Sequence, residues 1–302
     1  MSERRDAPLM IAVGGICTTT LYRVPAVPAV PGKVLATDAA EIVDGMAVSA
    51  ACAFVRLGGQ AAAWGRVGDD PRGVEMCREL ATAGLDVSAV RRVPEGRSSI
   101  AVSIIDARGD RLVVPYHDAS LDPAADWLPL ERIAKADFVH VDTRWVEGAA
   151  AALAAARSAG VPGMLDADIA PPEVLARLVP LASHAVFSDA GLVLHTGIND
   201  LEDALRSVAA GHPGHVGASC GAEGYAWIEG GAMRRAPAPR VEVVDTLAAG
   251  DVFHGALALR LAEGATIAEA ARFAVVAASL KCSRFGGRLG CPSRVEVELT
   301  GG

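Results

Sequence analysis

The sequence predicts an α/β fold in which a central, mostly parallel sheet is flanked by helices and carries a small β-strand lid. Three observations point there. Short apolar runs alternate with longer alanine-rich stretches of helical length, the rhythm of strand–helix–strand units whose helices cover a parallel sheet. The segment Val244-Asp245-Thr246-Leu247-Ala248-Ala249-Gly250-Asp251-Val252-Phe253-His254-Gly255-Ala256 joins the end of an apolar strand to the start of a long helix through small residues. Two segments, 33–43 and 100–114, break the alternation and read as extended chain, the second as two strands around an Asp-Ala-Arg-Gly-Asp turn.

In chain order, Leu9–Val13 reads as a first buried strand, followed by apolar or alanine-rich runs at 48–57, 61–64 and 74–83. Phe138–Val141, 164–165 and 185–187 have the length and apolarity of buried strands, and 149–159 and Pro172–Leu178 have the length of helices. His215–Ser219 reads as a strand, 225–235 as a hairpin, and 250–262 and Ile267–Cys282 as helices. Together 17–43 and 98–118 would form the lid; an ordinary surface hairpin is the alternative for the second piece. No composition break, low-complexity tract or internal repeat divides the chain, so residues 1–302 read as a single domain.

The chain has 302 residues, 51% hydrophobic residues and 32 glycines, enough for a sizeable core and its turns. Its formal charge of −8 offers no broad attraction to nucleic acid or to an anionic membrane. An anionic substrate would need a local basic pocket. The six cysteines are scattered without a Cys-x-x-Cys pair, as buried thiols in a reducing compartment are. The basic head at Met1 and the apolar run after it resemble a secretion signal, but the run is short and acidic residues interrupt the head. No window approaches the ~18 apolar residues of a spanning helix, so a cytoplasmic location is expected. His212-Pro-Gly-His215 lacks carboxylate or thiol partners nearby and is expected to face solvent rather than a metal.

The junction at 244–256 is a place to hold an anion. Free amides of a first helical turn, backed by the positive end of the helix dipole, favour a phosphate oxygen. Asp251 is the odd residue in such a place. A carboxylate there is useful if it hydrogen-bonds a substrate hydroxyl and takes its proton while a phosphoryl group transfers. Thr246 or Asp251 as a simple helix cap is the competing reading.

These residues resemble the Asp-Thr-x-Gly-Ala-Gly-Asp signature of the ribokinase-like (PfkB) carbohydrate kinases, with Ala248 where the family usually has its first glycine. The resemblance implies a ribokinase-like fold, ATP and Mg2+ as cofactors, and Asp251 as general base beside the amides of Ala248, Ala249 and Gly250. It also implies a lid over the sugar that often pairs between subunits, hence a homodimer. Further blocks, including Val141-Asp-Thr-Arg144-Trp145 and Leu165-Asp-Ala-Asp168, resemble the sulfofructose kinase-like branch, whose substrate is 6-deoxy-6-sulfofructose.

That branch implies Lys33 and Arg144 at the sulfonate end, where an ammonium and a forked guanidinium suit a tetrahedral oxyanion. Surface solvation of Lys33 and a structural ion pair for Arg144 remain open. Pro115, before Tyr116, replaces a sulfonate-binding asparagine. Thr19 stands where the family usually has a sugar-binding aspartate, and Asp44-Gly45-Met46-Ala47-Val48-Ser49 replaces its Gly-Gly-x-x-x-Asn. Ser49 can supply a hydroxyl contact, and Asp44 either restores a carboxylate or caps a helix. The substrate is thus expected among Lys33, Arg144, Thr19, Asp44, Gly45, Ser49 and Tyr116.

No Gly-x-x-x-x-Gly-Lys-Ser/Thr and no Gly-x-Gly-x-x-Gly after a strand is present, so the nucleotide is held otherwise than in P-loop or dinucleotide folds. The resemblance places it against Ser219, Gly221 and Gly224 of a glycine-containing turn, Thr246, and Ala278, Lys281 and Gly287 around the adenine and ribose. Direct metal ligands are left unassigned, magnesium arriving with ATP. A kinase for fructose, a ketohexonate or a nucleoside is the near alternative, and a sugar or nucleotide sensor without turnover is the distant one.

Overall fold

The computed structural model describes residues 7–301; the basic head that resembles part of a secretion signal lies outside the described residues. The chain opens with β1 (Leu9–Val13), then β2 (Cys17–Arg23) and β3 (Asp38–Asp44). It continues through α1 (Met46–Arg56), β4 (Gln60–Gly68), α2 (Pro71–Thr82), β5 (Leu85–Val93), β6 (Ser99–Ile105) and β7 (Arg111–Tyr116). The middle of the chain is β8 (Phe138–Val141), α3 (Val146–Ala159), β9 (Gly163–Ala167), α4 (Pro172–Leu178), β10 (His184–Ser188), α5 (Asp189–Thr196) and α6 (Leu201–Ala209). It closes with β11 (His215–Ser219), β12 (Tyr225–Glu229), β13 (Ala232–Ala236), α7 (Ala249–Ala262), α8 (Ile267–Cys282) and α9 (Arg294–Gly301).

Nine strands pair in the order β13-β12-β11-β10-β9-β8-β1-β4-β5. The pairings from β11 to β5 are parallel, and β12 and β13 add an antiparallel hairpin at one edge. Along β1, Met10 and Ala12 pack on one side with α1, α7 and α8, whereas Ile11 and Val13 pack on the other with α3 and α4. A strand covered on both faces has no polar side to show, which is why β1 reads as an unbroken apolar run and why β8 and β10 are mostly apolar, with His140 inside β8 and His184 and Ser188 at the ends of β10. The second sheet, β3-β2-β6-β7, is the lid. It leaves the carboxyl end of β1 through Gly14 and Gly15, so the lid stands over the end of the sheet where ligands of such folds bind. Among the described residues no helix is long and apolar enough to cross a membrane.

Three expectations are corrected. The extended piece at 33–43 pairs as a strand only from Asp38, the residues from Lys33 to Thr37 being exposed and outside the ladder. β5 and α6 were not anticipated: each is covered on one face only, so neither contains a sustained apolar run. His212 and His215 do not face solvent. His212 is buried, with Nε2 3.2 Å from the Val179 carbonyl and Nδ1 accepting from the Gly214 amide, and His215 Nε2 lies 2.6 Å from the Tyr225 hydroxyl.

Candidate active site

The site grows from the ends of β1, β3 and β8 and the start of α7. Asp142, one residue past β8, is wholly buried and accepts from the amides of Gly15, Ala47 and Arg144 at 3.1, 3.1 and 2.8 Å. One carboxylate therefore ties together the exits of two strands and the first turn of α1. Gly14 is required by that contact, since a Cβ there would lie 2.0 Å from Asp142 Oδ2. Burial raises the Asp142 carboxyl above the ordinary range, and the amide donors act against that. Asp142 stands in the Val141-Asp-Thr-Arg144-Trp145 block, where nothing in the sequence gives it this role. Its mark was a lone acid closing an apolar strand.

Asp44 closes β3 and accepts hydrogen bonds from Thr19 Oγ1 at 3.2 Å and Ser49 Oγ at 2.6 Å. It does not cap α1, whose N-cap is Gly45, at φ 139° and without a side-chain cap bond. A Cβ on Gly45 would meet the Gly15 carbonyl at 2.2 Å, so this crossing of two chain segments also demands glycine. Thr19, Asp44, Gly45 and Ser49 are thus brought together as expected of neighbours.

α7 starts from Ala248, which adopts the left-handed conformation, φ 60° and ψ 13°, with no side-chain cap. Neither Thr246 nor Asp251 is a cap, so the simple-cap reading fails. The Ala249 amide bonds the Thr246 carbonyl and the Val252 amide bonds that of Ala248. Between them, the amides of Gly250 and Asp251 donate to no described residue, and nothing lies within 4 Å of where a Gly250 Cβ would be. Two free donors facing open space at a helix N-terminus make an anion site. The Asp251 carboxyl beside them is pushed well above the usual carboxylate range, by burial first and then by Asp44, Asp166, Asp168 and Asp142. Burial and these charges oppose its ionisation, and a cation or a hydroxyl donor arriving at the site would relieve it.

The lid reaches this junction directly. The turn between β6 and β7 lies against it: Thr246 Oγ1 donates to the Gly109 carbonyl at 2.9 Å, and Arg111 Nη1 donates to the Thr246 carbonyl at 3.0 Å. Thr246, expected on the nucleotide side, is therefore already engaged by the lid.

Of the other expected nucleotide residues, Lys281 is the correction. Its side chain is fully buried, donating to the Asp245 carbonyl at 2.6 Å and lying 3.1 Å from Asp245 Oδ2. It cannot present its ammonium to a ligand on the wall. The same Asp245 carboxylate accepts from the amides of Leu247, Gly286 and Gly287, so Lys281 braces the loops rather than lining them. Gly287 is buried as well, at φ 56°. Ala278 is half-buried on α8. Ser219 and Gly221 lie at the end of β11, with open space over Gly221, whereas Gly224, at φ 93°, is held by the hairpin, where a Cβ would meet the Ala236 carbonyl at 2.0 Å.

The two basic residues expected at one end of the substrate are not joined. Lys33 is exposed in the connection between β2 and β3 and makes no hydrogen bond or ion pair with another described residue. Arg144 donates from Nη1 to the Ile169 carbonyl at 3.0 Å and lies 3.8 Å from Asp168. Tyr116, at the end of β7, accepts from Arg97 at 3.1 Å and is half-exposed on the lid.

A family described as pfkB family carbohydrate kinase matches residues 10–294. The chain is 32% identical over 268 residues to a ribokinase of Bacillus subtilis, an alignment covering 88% of this chain and 89% of that protein. It is 27% identical over 290 residues to an ATP-dependent ribose-1-phosphate kinase of Halopiger xanaduensis, covering 92% and 93%. Among solved structures, one provisionally described as a ribokinase from Agrobacterium tumefaciens superposes with a TM-score of 0.94 at 42% identity, covering 98% of this chain and 97% of that one. The fold is also that of Arabidopsis thaliana ribokinase complexed with ribose and ATP, at a TM-score of 0.82 and 22% identity. With a match running from β1 into α9 and the free amides and acid at the start of α7, the chain belongs to the pfkB family of carbohydrate kinases, ATP-dependent phosphotransferases that act on sugars.

Proposed function

We propose that this chain transfers the terminal phosphoryl group of ATP to a hydroxyl of a neutral sugar of the ribose type, with Asp251 as the general base. The observation that carries this is the first turn of α7, where a carboxylate of raised basicity adjoins two free amides and open space. The amides of Gly250 and Asp251 fit the charge on a transferring phosphoryl group, and Asp251 fits the proton of the attacking hydroxyl. Thr19, Asp44 and Ser49 form the polar floor for the other sugar hydroxyls, with Gly45 admitting close backbone approach. Ser219 and Gly221 face the nucleotide. Magnesium prefers oxygen donors and keeps several waters, so it fits as the ATP complex; Asp168, half-exposed and accepting from Ser188 Oγ, offers such an oxygen.

A neutral sugar is favoured over 6-deoxy-6-sulfofructose by charge. Asp44, Asp142, Asp166 and Asp168 all bear on Asp251, Arg144 is engaged by Ile169 and Asp168, and Lys33 stands apart in an exposed connection. The relatives named as ribokinases support the same reading. An anionic ketose remains as the second reading because Arg144 and Arg66 together lie close enough to His117 to depress its basicity, after burial.

ADP release with Mg-ATP should be measured against ribose, fructose, sulfofructose, ketohexonates and nucleosides, with Asp251→Asn as the blank. The highest kcat/KM on ribose, abolished in the blank, is the expected result. Preference for sulfofructose, with a KM that rises in Lys33→Gln and Arg144→Gln, would install the second reading. ATP binding without turnover of any sugar would make the chain a sensor.

A further inference from the structure

On the inner side of α7, one helical turn beyond Asp251, three residues meet from three elements: His140 on β8, Asp166 on β9 and His254 on α7. They are 0, 4 and 3% exposed. Each offers a ligand atom, and these atoms lie within 4.8 Å of one another. His254 Nε2 is 3.4 Å from Asp166 Oδ1, and the two imidazole centroids are 5.3 Å apart. Neither nitrogen of His140, nor Nδ1 of His254, has a hydrogen-bond partner among the described residues. A buried polar atom without a partner is costly, and two such rings converging on one carboxylate do not follow from packing. An apolar side chain would fill either position more cheaply.

The geometry points to a buried site for a divalent transition-metal ion of the zinc type, held by His140, Asp166 and His254. Two imidazoles and one carboxylate are a recurrent donor set for zinc. Zinc–nitrogen bonds of ~2.0 Å place tetrahedral ligands about 3.3 Å apart, so the observed separations close by side-chain rotation. Magnesium is a poor fit, because it favours oxygen donors and octahedral geometry; the site is therefore not that of the magnesium carried by ATP. No fourth His, Cys, Asp or Glu joins the group among the described residues, which leaves the remaining position to water. A metal here would clip two central strands to the helix that carries Asp251, fixing the distance between the acid and the sheet from outside the substrate pocket.

The test is metal content, read without reference to turnover. Protein produced in zinc-supplemented medium and purified without chelator should contain about one zinc per chain, and the chelated protein should take up about one cobalt(II) with the visible absorption of tetrahedral nitrogen and oxygen ligation. Saturating zinc should raise the melting temperature of the stripped protein by several degrees. His140→Ala and the isosteric Asp166→Asn should each lose the metal and the shift while keeping the far-ultraviolet dichroism of the parent. Should either variant fail to fold, the cobalt spectrum of the parent decides: intense near-ultraviolet thiolate charge transfer would mean cysteine ligation and overturn the site. A metal-free parent indifferent to zinc and cobalt, or variants that retain full metal, would overturn it equally.

Discussion

Burial and four neighbouring carboxylates oppose the ionised form of Asp251, and the sign of the consequences can be followed. A base must be ionised to accept a proton, so kcat/KM should fall as pH drops through this raised value, with an acid limb above the ordinary carboxylate range. Stability should move the other way. A carboxyl whose folded pKa is raised favours the folded state at low pH, and that advantage is lost as pH rises through the folded value. Asp251→Asn should therefore lower kcat by about 10²–10⁴-fold while flattening the pH dependence of the melting temperature and leaving it no lower than that of the parent at neutral pH. An Asn variant that melted well below the parent would show that the carboxylate is structural. Ala248 poses the opposite case, a strained residue beside the same amides. A left-handed conformation costs a non-glycine residue about 1 kcal/mol or more, so Ala248→Gly should stabilise the protein, by up to about 1 kcal/mol after the entropy of the unfolded glycine is counted. Unfolding in denaturant checks it, and a destabilised glycine variant would contradict the strain. The signature alone marked both residues, but it could not show that alanine would keep the glycine conformation; that follows from the chain geometry around Leu247 and Ala249.

At the level of elements, the junction before α7 depends on a brace that the sequence did not reveal. Lys281 on α8 and Asp245 before the junction are both 0% exposed and 3.1 Å apart, and the Asp245 carboxylate holds three amides in two loops. Burial lowers the Lys281 pKa, and the Asp245 carboxylate acts to restore it. Removing one partner of such a pair strands the other charge and costs about 3–5 kcal/mol. Lys281→Met should lose about that much in denaturant unfolding and should raise the KM for ATP more than that for the sugar, because the loop it frees at Leu247 leads into the first turn of α7, whose Gly250 and Asp251 amides are proposed to face the phosphate. The double variant Lys281→Met with Asp245→Asn should recover part of the loss; strictly additive losses would mean that the two do not act as a pair. The resemblance placed Lys281 beside the adenine and ribose, and nothing local in the sequence shows that its side chain is buried. Its partner lies 36 residues away, and no local pattern announces that distance. The same limit hid Asp142, which works through the amides of Gly15 past β1 and Ala47 in α1 as well as Arg144. By contrast, strands covered on both faces and helices with alanine-rich runs announced themselves by local pattern, and Ile267–Cys282 appears with the bounds expected.

For the whole molecule, the alternation of elements was enough to anticipate the parallel sheet, and the two extended segments that break it, with the resemblance, to anticipate the lid. None of these could say which lid face is covered, because that depends on register. Residues opposite one another in a ladder share a face. Thr20, Val102 and Val114 are in line across β2, β6 and β7, as are Tyr22, Ile104 and Leu112. With Ile100 and Tyr116 they form the face turned away from Leu21, Ile105 and Leu247, which pack together beneath the lid. Val114 and Tyr116 are 56 and 49% exposed. An apolar sheet face with an open edge strand is a surface that proteins seldom leave uncovered. A second copy of the chain is the occupant this self-complementary patch suits, since a twofold interface sets the same patch against itself. Light scattering should therefore find a dimer at assay concentrations. Val114→Lys should convert it to a monomer with little change in the stability of the chain itself, because the substitution is made on an exposed position. Loss of the partner should raise the KM for the sugar more than it lowers kcat, because the lid strands lead to Thr19 and Asp44 whereas Asp251 is held by α7. A parent that is monomeric, or a Val114→Lys variant that remains a dimer, would remove the lid as the interface and leave its apolar face to serve each copy alone.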